Sequence, residues 1–119
     1  MKYGFDVINV WTHATVNEIE CMLQHELGGE FVCETCGSRF LRLRRRRAEV
    51  AVRFADNMVE ETDPNILVFI DRSSNDESVD QQRVAAIAVF DALARATFDR
   101  LELRAEDDSP IRCRPAATN

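Results

Sequence analysis

The stretch ILVFIDRSSNDESVDQQRVAAIAVFDALARATFDRLEL, Ile66 to Leu103, decides the fold. Ile66-Leu67-Val68-Phe69-Ile70 is a continuous apolar run bounded by the turn signal Asp63-Pro64-Asn65, which predicts a central strand. The linker Asp71 to Asp80 is polar and solvated. Ser78-Val79-Asp80-Gln81 then offers a capping box, with a hydroxyl at the cap and a glutamine three residues on. The following segment, Val84 to Phe98, predicts a helix that is apolar nearly all the way round, interrupted chiefly by Asp91 and Arg95. Much of its bulk is alanine, so a wide face can lie close to a sheet. Its surplus of apolar surface also points to a homodimer or a partner contact. Leu101-Glu102-Leu103-Arg104 continues as a short strand.

Working outward, the chain opens on an alternating segment, Tyr3 to Trp11, that predicts a strand. Thr15-Val16-Asn17-Glu18 is a second capping box, and the spacing predicts a helix from Val16 to about Leu27. Gly28-Gly29 ends it in a left-handed turn. Val16, Ile19, Leu23 and Leu27 form one stripe, the expected buried face. Phe40 to Arg45 and Glu49 to Phe54 predict two strands around an arginine-rich hairpin, with Val50, Val52 and Phe54 on one face. Beyond the turn Asp107-Asp108-Ser109-Pro110, Ile111 to Arg114 predicts an edge strand, and 115–119 a disordered tail. The order β-α-β-β-β-α-β(-β) predicts one α+β domain over residues 1–114. Two helices on one face of a mainly antiparallel sheet is the simplest way to bury both stripes.

The chain of 119 residues carries a net charge of −6 and 45% hydrophobic residues. A single core suits that length. No apolar run has membrane-spanning length, so no membrane association is expected. The opening residues lack the continuous apolar segment of a secretory leader, which makes the cytoplasm the expected location. The acidic balance disfavours nucleic acid as a partner. The cationic run Arg42, Arg44, Arg45, Arg46 and Arg47 could contact phosphates. It comes without exposed aromatics or a recognition helix, and the chain's own acidic loops or an acidic patch on a partner are its expected counter-charge.

Four cysteines raise the question of a metal. Cys33-Glu34-Thr35-Cys36-Gly37, flanked by aromatics, resembles the knuckles of rubredoxins and zinc ribbons. A closed tetrahedral site needs four ligands, and no second C-x-x-C is present. Cys21 and His25 lie four apart on the first helix and share a face roughly opposite the apolar stripe, so both are expected to be exposed. The set Cys21, His25, Cys33 and Cys36 could therefore hold zinc, provided the turn wraps over the helix. The competing reading is a strand-end turn with free thiols. A redox role is disfavoured because GSRFLRLR does not start a helix. Cys113 has no evident partner.

No catalytic constellation is present, and the chain is not expected to be an enzyme. No glycine-rich phosphate loop can be drawn from four glycines. The loop after Asp71 lacks the glycine and bidentate glutamate of a calcium site.

The second half, from PNILVFIDR through ALARATFDRLELRAEDDSPIRCRP, resembles the small immunity proteins that protect bacteria from contact-delivered polymorphic toxins, of the Sit swarming-inhibition type. The opening KYGFDVINV and TVNEIECMLQHELGG suit the same family. The resemblance implies a small acidic binding protein that neutralises a cognate protein toxin by occlusion. An acidic inhibitor gains encounter rate and orientation against a basic target. The expected contact residues are Asp71, Asp76, Glu77 and Asp80 in one loop and Glu106, Asp107 and Asp108 in another. The alternative is a zinc-knuckle module that binds nucleic acid or a regulatory partner.

Overall fold

A computed structural model describes residues 4–28, 30–33, 39–43, 48–55, 63–72, 78–97 and 99–115. In chain order the elements are β1 (Phe5–Trp11), α1 (Val16–Leu27), β2 (Glu30–Cys33), β3 (Arg39–Leu43), β4 (Ala48–Phe54), β5 (Ile66–Arg72), α2 (Val79–Ala96), β6 (Arg100–Ala105) and β7 (Pro110–Arg114). The α+β order expected from sequence is observed with one strand more. Glu30–Cys33 is too short to carry a periodic signal, and it becomes a strand by pairing with β3. The expectations for 44–45 and for the tail beyond Pro115 fall outside the described residues.

The strands form a single sheet in the order β2-β3-β4-β5-β1-β6-β7. Every pair is antiparallel. Ile8 sits on one rung with Val68 and Leu103, and Val68 in turn pairs with Val52. Side chains alternate across a strand, so Ile8, Val10, Val50, Val52, Ile66, Val68, Ile70, Leu101 and Leu103 all point to one side, where they are buried. Both helices lie on that side: α2 packs on β5, β1 and β6, and α1 packs on β4, β3 and α2.

Local chemistry starts both helices at the expected caps and stops α1 where the sequence predicts, while α2 ends at Ala96, short of the expected Phe98, which lies outside the described residues. Glu18 N–H donates to Thr15 Oγ1 at 3.2 Å, while Thr15 N–H donates to Glu18 Oε1 at 3.3 Å. Gln81 and Ser78 repeat the exchange at 3.1 and 2.9 Å. Gly28 adopts φ +67°, the left-handed conformation that glycine enters without a Cβ penalty, and its N–H closes on the Gln24 carbonyl. On α1, Ile19 and Leu23 are fully buried, Val16 and Leu27 pack at the margin, and Glu20 is buried with them.

The apolar run of residues 66–70 forms β5, the central strand of the sheet, as expected; Ile66, Val68 and Ile70 are covered, while Leu67 and Phe69 are half-buried on the side without helices. Phe54 shares its parity with Val50 and Val52 yet is 64% exposed, because it stands at the end of β4 past the helical cover. One expectation needs correction: the apolar surplus of α2 is largely consumed within the chain. The helix packs on the sheet and, beside it in the same layer, on α1, burying Ala85, Ala86, Val89, Phe90, Ala92 and Leu93 and leaving Val84 as its exposed large apolar side chain.

Candidate partner-binding surface

Strand register carries the distant acidic segments to one end of the sheet. Phe5, the first residue of β1, pairs with Asp71 near the end of β5. Asp6 pairs with Ala105, the last residue of β6, so the turn holding Glu106, Asp107 and Asp108 projects from the same end. Gly4 N–H donates to Glu106 Oε2 at 2.6 Å and fastens that turn to the start of the chain. The first turn of α2, with Asp80, also begins here. Arg83 Nε one turn later lies 3.1 Å from Asp6 Oδ2.

Asp71, Asp80, Glu106, Asp107 and Asp108 are all exposed. Asp71 and Asp80 make no ion pair among the described residues. Asp108 lies 3.8 Å from Arg104 Nη1, a weak exposed contact. Asp76 and Glu77 lie outside the described residues. β3 ends and β4 begins at this same end, since Leu43 pairs with Ala48 and Ala48 with Arg72. The arginines at 44–47 that connect them lie outside the described residues.

The turn itself is built from backbone and aspartate. Asp108 N–H donates to the Ala105 carbonyl at 2.9 Å, and Ala105 N–H to the Ser109 carbonyl at 2.9 Å. Asp108 takes φ +70°, which aspartate tolerates better than most residues because its short side chain can bond locally. Arg104 Nη1 donates to the Asp108 carbonyl at 3.0 Å. The Asp107 carboxyl is held below its ordinary range, first by the Ser109 hydroxyl, then by Ser109 N–H at 3.0 Å, with the positive charge of Arg83 adding to the effect. This places one ionised carboxylate at the apex. Arg83 stands between the buried Asp6 and that apex, so much of its charge is already committed to its own chain.

The thiols are distributed differently. Cys21 and His25 are exposed on α1, as their position opposite the apolar stripe predicts. Cys33 ends β2 and pairs with Arg39, at the opposite end of the β2–β3 hairpin from the acidic turn. Cys36 lies outside the described residues. No group of three or more histidine, cysteine, aspartate or glutamate side chains is placed to hold a metal among the described residues. Cys113, on β7, is exposed opposite Glu102.

The other end of the sheet is tied by hydrogen bonds. Thr12 N–H donates to Asn65 Oδ1 at 2.8 Å, Asn65 Nδ2 returns to the Thr12 carbonyl at 2.7 Å, and Thr12 Oγ1 donates to Asp99 Oδ2 at 2.5 Å. The Arg100 guanidinium lies 4.1 Å from the Trp11 ring centroid, within cation–π range. These contacts splice the loops after β1, before β5 and after α2, and their groups are largely occupied by one another.

No helix among the described residues is long and apolar enough to cross a membrane. In comparisons with known proteins, no family model, no curated protein and no solved structure matches the chain.

Proposed function

We propose that this is a non-enzymatic binding protein that covers a basic face of another protein, as an immunity protein covers its toxin. The observation that carries the reading is the convergence of Asp71, Asp80 and the Glu106–Asp108 turn on one end of the sheet, from segments separated by a whole helix in sequence. Such a surface raises the local concentration of a cationic partner and orients it on approach. A rigid mount supports it, because β1, β5 and β6 are the inner strands that hold the core, so little ordering is lost on binding. The sequence resemblance to Sit-type immunity proteins points the same way, with a cognate toxin as the partner and the cytoplasm as the place of encounter.

This reading requires a secreted toxin encoded next to the chain in its genome, and the test uses the toxic domain of that neighbour. Expression of that domain alone should arrest growth, and co-expression of the chain should restore it. The variant Asp80→Asn/Asp107→Asn/Asp108→Asn should fold normally and lose most of the protection, and added salt should weaken the purified complex. Protection that survives neutralisation of all three carboxylates would remove the acidic end from the mechanism.

A further inference from the structure

Among the described residues, nothing lies over the sheet face opposite the helices. Its centre is apolar: Val7 pairs with Phe69, Phe69 with Ala51, and Leu67 stands one rung further along β5. Phe5 meets Phe69 edge to face at 5.3 Å, and Trp11 closes the row on β1. A face of half-buried aromatic and branched side chains on strands in the middle of the sheet is what a second layer normally covers.

The charges around this centre select the occupant. At the end where β1 begins, the face carries Asp71 and its cross-strand neighbour Glu49. Arg104 on β6 stands one residue from the centre toward that end; Arg53 on β4 and Glu102 on β6 stand one residue from it toward the other, which ends on Arg100. Asp71 and Arg53 are exposed, and neither makes an ion pair among the described residues. A rotation by half a turn about an axis running across the strands, at the rung of Ile8, Val68 and Leu103, exchanges the two ends. It sets Phe69 over Leu67 of a second copy, Phe5 over Trp11 and Glu102 over Arg104, and it brings Asp71 and Glu49 over the half of the face that bears Arg53 near its centre and Arg100 at its end. The other in-plane axis, along the strands, would stack acid on acid. The face is therefore complementary to itself in one orientation, the requirement for a two-fold interface.

We propose that two copies of this chain pack through these faces into a four-layered dimer, helices outside and sheets inside. Seven strands at about 4.8 Å spacing and about 20 Å length give a footprint on the order of 600 Å² before side-chain relief, near the roughly 800 Å² per partner of a standard interface. Asp71 is then drawn to the seam, while Asp80 and the Glu106–Asp108 turn stay at the ends, open to a further partner.

Sedimentation or light scattering on the purified chain at roughly 100 µM should give twice the monomer mass, within the range where weak protein interfaces are populated. Phe69→Glu should give a folded monomer by circular dichroism. Asp71→Arg and Arg53→Asp should each weaken the dimer about tenfold or more, and the combined variant should recover most of the loss. If Phe69→Glu fails to fold, the charge pair alone decides. A monomeric wild type, a dimer indifferent to Phe69→Glu, or a double variant no better than the singles overturns the proposal. So does a monomer whose protection against toxin is lost with Phe69→Glu, since the face would then belong to the toxin.

Discussion

Arg83 on α2 grips Asp6 on β1 across 77 residues of chain, Nε to Oδ2 at 3.1 Å and Nη2 to Oδ1 at 3.4 Å. The Asp6 side chain is 0% exposed and that of Arg83 33%. A carboxylate buried on the helix-facing side of a central strand is costly without such a partner. The pair also joins the start of α2 to the strand beside the acidic turn, so it sets where the proposed contact surface stands.

Replacing Arg83 with methionine keeps the aliphatic stem and removes the partner charge. The expected loss of stability is about 2 kcal/mol, below the range for a fully buried pair because Arg83 is a third exposed. Urea unfolding measures it, and a cycle with Asp6→Asn isolates the pairwise part. A coupling indistinguishable from zero would show that the contact contributes nothing.

Gln82 is 1% exposed, and neither its Oε1 nor its Nε2 has a hydrogen-bond partner among the described residues. A buried amide in that state costs about 1–3 kcal/mol of desolvation. Gln82→Met, similar in volume and unbranched, should therefore raise stability by about 1 kcal/mol or more and lift the melting temperature by several degrees. A lower melting temperature would show that the amide is satisfied in solution.

Arg114 stitches the last strand to the end of α2. Its Nη1 donates to the Ala94 carbonyl at 2.5 Å, and its Nη2 to the Asp99 carbonyl at 2.5 Å and to Thr97 Oγ1 at 3.3 Å. The Ala94 carbonyl belongs to the last helical turn, which has no partner within the helix, so a cation there is favoured twice over. Arg114→Met should cost about 1.5–3 kcal/mol. Hydrogen exchange should also speed up first in β7, the edge strand, before the centre of the sheet.

Asp107 sets a pH response. Its folded carboxyl lies below the ordinary 3.8, so its stabilising contribution is complete above that value. The contribution is lost as pH falls through the lower folded value. Ser109→Ala removes the hydroxyl but keeps the N–H, so the carboxyl should titrate closer to its ordinary range while staying beneath it. Carbon-detected NMR titration of Asp107 in both proteins reads this directly, and an unmoved titration curve would discount the hydroxyl.

Much of the fold was legible because its signals are local. The capping boxes at Thr15 and Ser78, the left-handed Gly28 and the stripe through Ile19 and Leu23 lie within a few residues of the structure they specify. The exposure of Cys21 and His25 followed from the same helical geometry. β2 was not legible, because four residues carry no period and only the partner strand makes them extended. Gln82 and Glu20 were not recognised as buried, since nothing near them in sequence shows what α1, α2 and the sheet bring against them.

By itself the sequence determined the kinds and order of every element but β2, and the acidic balance, all properties of residues and near neighbours. Only the tertiary structure decided that Asp71, Asp80 and the Glu106–Asp108 turn share one end, and that Phe5, Val7, Leu67 and Phe69 share the face opposite the helices. Both depend on the register of antiparallel strands, where a slip of a single residue would move every side chain to the opposite side.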